Sequence, residues 1–257
     1  MELKKIQKLT NIFFYSFLFY SLQSCIGTKS IATNNYAGFV SIFDGKTLAN
    51  WKGDPKYWTV NEGCLVGEVT PETILKSNTF IIWQGEHPDN FELKLEYRIS
   101  ASGNSGINYR SEVLENNPFA LRGYQCDIDG AQKFTGQNYE EKKRTTLAYR
   151  GEIVTINTQV KPDPSGDLKS NIVKNCWQTR EVVGKTSLDL GPTNKEWNQV
   201  HIVANGNKLR HFINGILISE VIDNDVVNRA MKGFIGVQVH VGPPMKVEYK
   251  NILLKKL

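Results

Sequence analysis

Nine consecutive residues, Phe91-Glu-Leu-Lys-Leu-Glu-Tyr-Arg-Ile99, alternate apolar and charged side chains without a break. A period of two puts one set on each face of an extended strand, with the apolar face on a core and the charged face in water. Segments 79–83, 197–205, 208–213, 216–222, 233–241 and 245–254 read in a similar way. Asn205-Gly206-Asn207 and Asn214-Gly215 separate neighbours in this series. Asn and Gly accept the positive φ that tight hairpin turns require, so the strands they join pair antiparallel. No amphipathic pattern of helical period recurs between strands, which argues against a βαβ plan. The expectation is an all-β domain of two antiparallel sheets packed face to face, with a barrel as the alternative; the lack of a repeated blade signature disfavours a propeller. Pro71-Glu-Thr-Ile-Leu75 can form a helical turn, and residues 157–191 break the rhythm around the loop Lys161-Pro-Asp-Pro-Ser-Gly-Asp167.

The chain opens differently. Lys4, Lys5 and Lys8 precede an apolar run over 12–22, followed by Leu22-Gln-Ser-Cys25. A basic stretch, a short apolar stretch and small residues before a cut mark an export signal. The run is shorter than the roughly 20 apolar residues of a membrane span. Leu-x-Ser-Cys resembles the bacterial lipobox, in which Cys25 becomes the acylated first residue. The expected organisation is a signal peptide over 1–24, a polar tether over 25–37 and one β-sandwich domain over 38–257. The membrane is then met through a lipid anchor only.

The 31 Lys and Arg and 26 Asp and Glu give a formal charge of +5, with the two signs interspersed. Lys142-Lys143-Arg144 is the compact internal basic run, and one such run argues against a nucleic-acid partner. Cys64, Cys126 and Cys176 accompany Cys25 without a CxxC pair or Cys/His cluster, so neither a disulfide framework nor a zinc site is expected.

Candidate functional residues follow from strand parity. In Gly233-Phe-Ile-Gly-Val-Gln-Val-His-Val241 the valines point one way and Gly236, Gln238 and His240 the other. In Asn104-Ser-Gly-Ile-Asn-Tyr-Arg110, Gly106, Asn108 and Arg110 share a face. In Tyr124-Gln-Cys-Asp-Ile-Asp129, Gln125, Asp127 and Asp129 do so. If the last two segments are neighbours, Arg110 can pair with Asp127 or Asp129, either as a structural ion pair or as part of a site. Two carboxylates at i and i+2 stand about 7 Å apart, a spacing open to glycoside acid–base chemistry and equally to an oxygen-liganded Ca²⁺. Trp177, within the irregular stretch, is a candidate sugar-stacking ring, whereas Trp58 and Trp197 are expected to pack.

These segments together resemble the 3-keto-disaccharide hydrolase domain family. Phe39-Val-Ser-Ile-Phe-Asp-Gly-Lys-Thr-Leu-Ala-Asn-Trp51 is similar to its opening, Trp58-Thr-Val-Asn-Glu-Gly-Cys-Leu-Val66 to its next step, and Asn104–Arg110 and Gly123–Asp129 to its central motifs. Glu196-Trp-Asn-Gln199, His211-Phe-Ile-Asn-Gly215, Gly236–His240 and Val247–Ile252 follow in the family's order, so the resemblance covers about 38–257. It implies a concanavalin-A-like jelly-roll sandwich, in an exported protein anchored in the periplasm or at the outer membrane of a Bacteroidetes-like bacterium. It also implies glycoside substrates already oxidised at C3 by an upstream dehydrogenase.

A C3 ketone acidifies the C2 proton, whose removal lets the C1 substituent leave by elimination. Such chemistry needs a base, a donor for the enolate oxygen and an acid for the leaving group. His240 suits the base, with Asp127 and Asp129 as rivals. Arg110 and Asn108 suit the enolate donor, unless a divalent cation on Asp127 and Asp129 takes that role. Asn104, Gln125, Gln238 and Trp177 would hold the sugar. The family commonly carries Glu where this chain has Gln125 and Gln where it has Asp127, so substrate or activity can differ. The competing expectation is a non-catalytic carbohydrate-binding surface lipoprotein, because the same sandwich serves both ends.

Overall fold

The computed structural model describes residues 36–158, 179–191 and 196–257, and within it Gly38–Leu257 fold as one unit. The alternating segments form strands β5 (Thr79–Trp83), β6 (Phe91–Ile99), β13 (Asn198–Asn205), β14 (Lys208–Ile213), β15 (Ile216–Asp223), β16 (Phe234–Val239) and β17 (Met245–Lys256). The central motifs form β7 (Asn104–Leu114) and β8 (Asn117–Asp129). Shorter strands are β1 (Val40–Ser41), β2 (Trp51–Lys52), β3 (Trp58–Asn61), β4 (Cys64–Val69), β9 (Asn138–Glu141), β10 (Thr145–Ala148), β11 (Glu152–Ile156) and β12 (Arg180–Lys185). Pro71–Thr73 makes a single 3₁₀ turn, capped by Thr70.

Two sheets result. The larger has the order β12-β11-β15-β14-β13-β6-β17-β4-β3, with β1 added to β17; the smaller runs β10-β9-β8-β7-β16-β5-β2. The pairs are antiparallel except β11 with β15, which lie parallel. The chain is therefore a jelly-roll sandwich, as expected, with one parallel departure where distant segments meet.

Parity builds the core. Leu93, Leu95 and Tyr97 of β6 and Val247 and Tyr249 of β17 face Ile107, Tyr109, Tyr124, Cys126, Ile128, Val237 and Val239 of the smaller sheet, all buried. Each such large apolar side chain contributes about 1.5–3 kcal/mol on burial. The opposite face of β6 meets solvent, and Arg98 there makes a two-point contact with Glu248.

Polar groups also cross the core, and several are tied together by hydrogen bonds. Tyr109 Oη lies 2.8 Å from His211 Nε2, Asn138 Nδ2 donates to the same hydroxyl at 3.2 Å, and His211 Nδ1 lies 3.3 Å from the carbonyl of Gln137. Burial holds His211 down to about 4, so the ring stays neutral. Nearby, the fully buried Arg144 guanidinium meets Glu140 at 2.5 Å, Asp223 at 2.6 Å and Asp225 at 3.4 Å. These contacts join the β9–β10 turn to the end of β15. They also fix the end of the smaller sheet that carries the cleft described next.

A cleft on the outer face of the smaller sheet

Beyond Tyr109 the β7–β8 hairpin leaves the regular ladder. Arg110 adopts φ 45°, and the register shifts between Tyr109 and Glu112. The far half of the hairpin packs on the outer face of the same sheet, with Leu121 beside Phe80 and Ile82 in a second apolar cluster joined by Val113 and Phe234. Gly236 makes this approach feasible, since a Cβ there would lie 2.7 Å from Leu121. The rest of the outer face stays open as a cleft of 380 Å³, within the range of small-ligand sites.

Strands across the smaller sheet line it in alternation. β8 contributes Gln125 and Asp127, the segment entering and forming β9 contributes Gln137, Tyr139 and Glu141, and His240 follows the end of β16. Gly106 leaves room for Gln125, because a Cβ would come within 2.4 Å of its side chain. Gln125 Nε2 donates to Asp127 Oδ1 and Gln137 Nε2 to Asp127 Oδ2, each at 2.6 Å. Asn78 spans the rim: its Oδ1 accepts from the Val241 amide at 2.9 Å and its Nδ2 donates to Glu141 at 3.4 Å.

Burial inverts the usual order of acid and base. It pushes the Asp127 carboxyl up from 3.8 to about 7; Glu141 and Asp129 add to the rise, and the two glutamine amides oppose it. Burial lowers His240 below its ordinary value, while its Nδ1–H donates to the Val241 carbonyl at 2.5 Å. The imidazole is then neutral near pH 7, its Nε2 making no hydrogen bond among the described residues, and the carboxyl is partly protonated. A pair pushed apart in this way is the electrostatic arrangement of a base and an acid. Burial also raises Glu141, and it carries Tyr139 up to about 12 with help from Glu141 and Asp127.

Asp127 has a stability signature. Below about pH 4 its carboxyl is neutral in both folded and unfolded chains, and its burial is not penalised. Between about 4 and 7 the folded chain keeps a proton that the unfolded chain releases, so stability falls as pH rises; above about 7 the loss is complete, on the order of 4 kcal/mol. Asp127→Asn removes this dependence. Its melting temperature relative to wild type is expected to rise between pH 4 and pH 8, as read by calorimetry, and an unchanged difference would contradict the inverted acid.

Of the sequence-predicted residues, His240, Asp127, Gln125 and Asn104 line the cleft together. Gln238 stands behind them, its Nε2 donating to Gln125 Oε1 at 3.3 Å. Asn108, the register partner of Gln125, is fully buried; its side-chain N and O atoms and Gln238 Oε1 have no hydrogen-bond partner among the described residues. Both amides thus back the cleft instead of lining it.

Two expectations are corrected. Arg110 does not pair with Asp127 or Asp129: after the left-handed turn its guanidinium is buried against the carbonyls of Asp89, at 2.9 Å from Nε, and of Gly206, at 2.7 Å. Asp129 does not face the cleft either. Its carboxylate accepts the backbone N–H groups of Lys133, Phe134 and Thr135 at 2.8–2.9 Å and so shapes the loop that leads back to Gln137. A cation shared by Asp127 and Asp129 does not fit these donors, because each carboxylate is already turned onto N–H groups. Among the described residues no three His, Cys, Asp or Glu side chains form a metal-binding group. Cys64 and Cys126 are free and buried. Trp177 and Cys25 lie outside the described residues.

Sequence reading missed Asn78, Gln137, Tyr139 and Glu141. The available signal was the i, i+2 spacing of Gln137, Tyr139 and Glu141. It was masked because Asn138 and Glu140, on the core-facing side, are polar as well, so no apolar alternation marks β9.

Comparison with known proteins agrees with this architecture. A stretch of 84 residues, 30% of this chain and 29% of the relative, is 35% identical to a 3-keto-disaccharide hydrolase of Bacteroides thetaiotaomicron. The chain thus spans less than a third of that protein in the match. A crystal structure of a candidate glycosyl hydrolase from Parabacteroides distasonis has a TM-score of 0.53 at 18% identity, over 86% of this chain and 94% of that one. A second from the same organism has a TM-score of 0.51 at 17% identity, over 85% and 99%. At such identities the likeness is one of fold. The profile of the 3-keto-alpha-glucoside-1,2-lyase-like domain matches residues 38–255, the whole sandwich with its cleft, and the chain belongs to that family.

Proposed function

We propose that this protein cleaves 3-keto-glycosides by removing the C2 proton and expelling the C1 substituent. The observation that carries the reading is the inverted pair in one cleft: a neutral imidazole whose Nε2 makes no hydrogen bond among the described residues and a carboxyl raised to about 7. His240 Nε2 takes the C2 proton, and protonated Asp127 delivers a proton to the departing C1 oxygen. Gln125 and Gln137 hold the Asp127 carboxyl in place. Asn104, with its side chain on the cleft, is suited to a sugar hydroxyl. The C3 ketone must be made beforehand, so a dehydrogenase oxidising C3 of the glycoside is the implied upstream partner. Export and anchoring through Cys25 are part of the same reading, and a lipid-sized mass increment on Cys25 of the mature protein is the corresponding measurement.

The test is incubation with an aryl 3-keto-glucoside beside the parent glucoside, with and without chelator. Aglycone release from the keto substrate alone, unchanged by chelator, is the expected result. Tight binding of either sugar without release would instead assign the cleft to carbohydrate capture.

A further inference from the structure

With Arg110 sequestered and Asn108 buried behind the cleft, the enolate oxygen of the proposed reaction lacks the donors expected for it. Among the described residues no Lys or Arg lines the cleft. The amides of Gln125 and Gln137 are turned onto Asp127, and Asn78 is bound to Val241 and Glu141. Tyr139 is different. It is the register partner of Gln125 across β8 and β9, so its side chain stands beside Gln125 and diagonal to Asp127 on the cleft face. Among the described residues its hydroxyl makes no hydrogen bond, although the side chain is half-buried. A phenol is also a stronger acid than the other uncommitted lining donors, the amide of Asn104 and the hydroxyl of Thr146.

We propose that the Tyr139 hydroxyl donates the hydrogen bond that carries the C3 oxygen of a 3-keto-glycoside through its enolate. The inference rests on the elimination chemistry proposed above. In the first step the C2–H pair becomes the C2=C3 bond, the carbonyl π pair moves onto the C3 oxygen, and His240 Nε2 gains the proton. Tyr139 stabilises that oxygen and keeps its own proton. In the second step the C3=O bond re-forms, the C1=C2 bond forms, the C1–O bond breaks, and the leaving oxygen takes the Asp127 proton. Proton return from His240 to Asp127 through solvent restores the starting state. Burial raises the phenol to about 12, so it stays protonated near pH 7. The site thereby acts as a neutral oxyanion hole, in which a buried uncharged donor faces charge that develops only during reaction.

The experiment compares full-chain wild type with Tyr139→Phe on an aryl 3-keto-glucoside, reading aglycone release and exchange of the C2 hydrogen in D₂O. Phenylalanine is expected to lower kcat and C2 exchange together by about 100-fold, the cost of removing one such donor, with KM little changed. A melting temperature close to wild type keeps a folding defect out of the comparison. Replacing Tyr139 by a fluorinated tyrosine retains the hydroxyl and alters its acidity, so kcat should move with the phenol; a merely structural tyrosine would give no such trend. Wild type inert in both release and exchange would overturn the elimination reading, and this proposal with it. Active wild type with an equally active Phe variant would overturn the role of Tyr139 alone.

Discussion

His240→Ala is expected to lower turnover of a 3-keto-glycoside by about 100-fold or more while leaving thermal stability nearly unchanged. The two halves of this result have separate causes. The imidazole is half-buried at the cleft wall, and its one hydrogen bond among the described residues, to the adjacent Val241 carbonyl, is local. Removing it opens no core cavity and strands no distant partner, so the sandwich should melt as before. Its chemical role is not replaceable locally. Asp127 and Glu141, carboxyls lining the cleft, are both raised by burial, Asp127 to about 7, whereas burial lowers His240 and so favours its free-base form. Plotted against pH, wild-type kcat/KM should rise at a value below the ordinary imidazole value of 6.5 and fall as Asp127 deprotonates near 7. A variant with wild-type kcat would remove His240 from the mechanism; a collapsed melting temperature would assign it to structure.

Arg144→Met is the opposite case, with a large expected loss of stability at a residue that is not among those lining the cleft. The guanidinium is fully buried and serves Glu140, Asp223 and Asp225, and Tyr124 Oη donates to Asp223 at 2.6 Å. Methionine nearly preserves the volume but takes the guanidinium away from three buried carboxyls, of which Glu140 alone keeps a second cation, Lys143 at 3.6 Å. Breaking a buried pair from one side costs about 3–5 kcal/mol. For a domain of this size that is a fall of roughly 10 °C in melting temperature. Adding Asp223→Asn to Arg144→Met should recover part of the loss, because one uncompensated charge then disappears. A single variant that melts with wild type, read by calorimetry at pH 7, would show that the cluster is hydrated and not a core element.

The site was half legible beforehand, and the two failures have local causes. Parity put Gln125, Asp127, Gln238 and His240 on the outer face because β8 runs through Gln125 and Asp127, and β16 runs through Gln238 and ends only at Val239, next to His240. It failed at Arg110, where a left-handed residue and a register shift interrupt the alternation. At Asp129 it failed differently, since three loop amides captured the carboxylate at the end of the strand. Neither event has a signature in residue type: arginine is not a habitual left-handed residue, and an Asp at a strand end reads the same whether it faces a ligand or a loop.

By itself the sequence determined the two-sheet sandwich and which side chains of the regular strands face away from its core. Alternation along one strand is a local property, enforced wherever one face must be apolar. Only the tertiary structure decided that β9 lies beside β8, that Gln137, Tyr139 and Glu141 complete the cleft, and that burial exchanges the acidities of Asp127 and His240. Those outcomes depend on contacts between segments far apart in the chain and on solvent exclusion at their junction, which no local pattern of residues encodes.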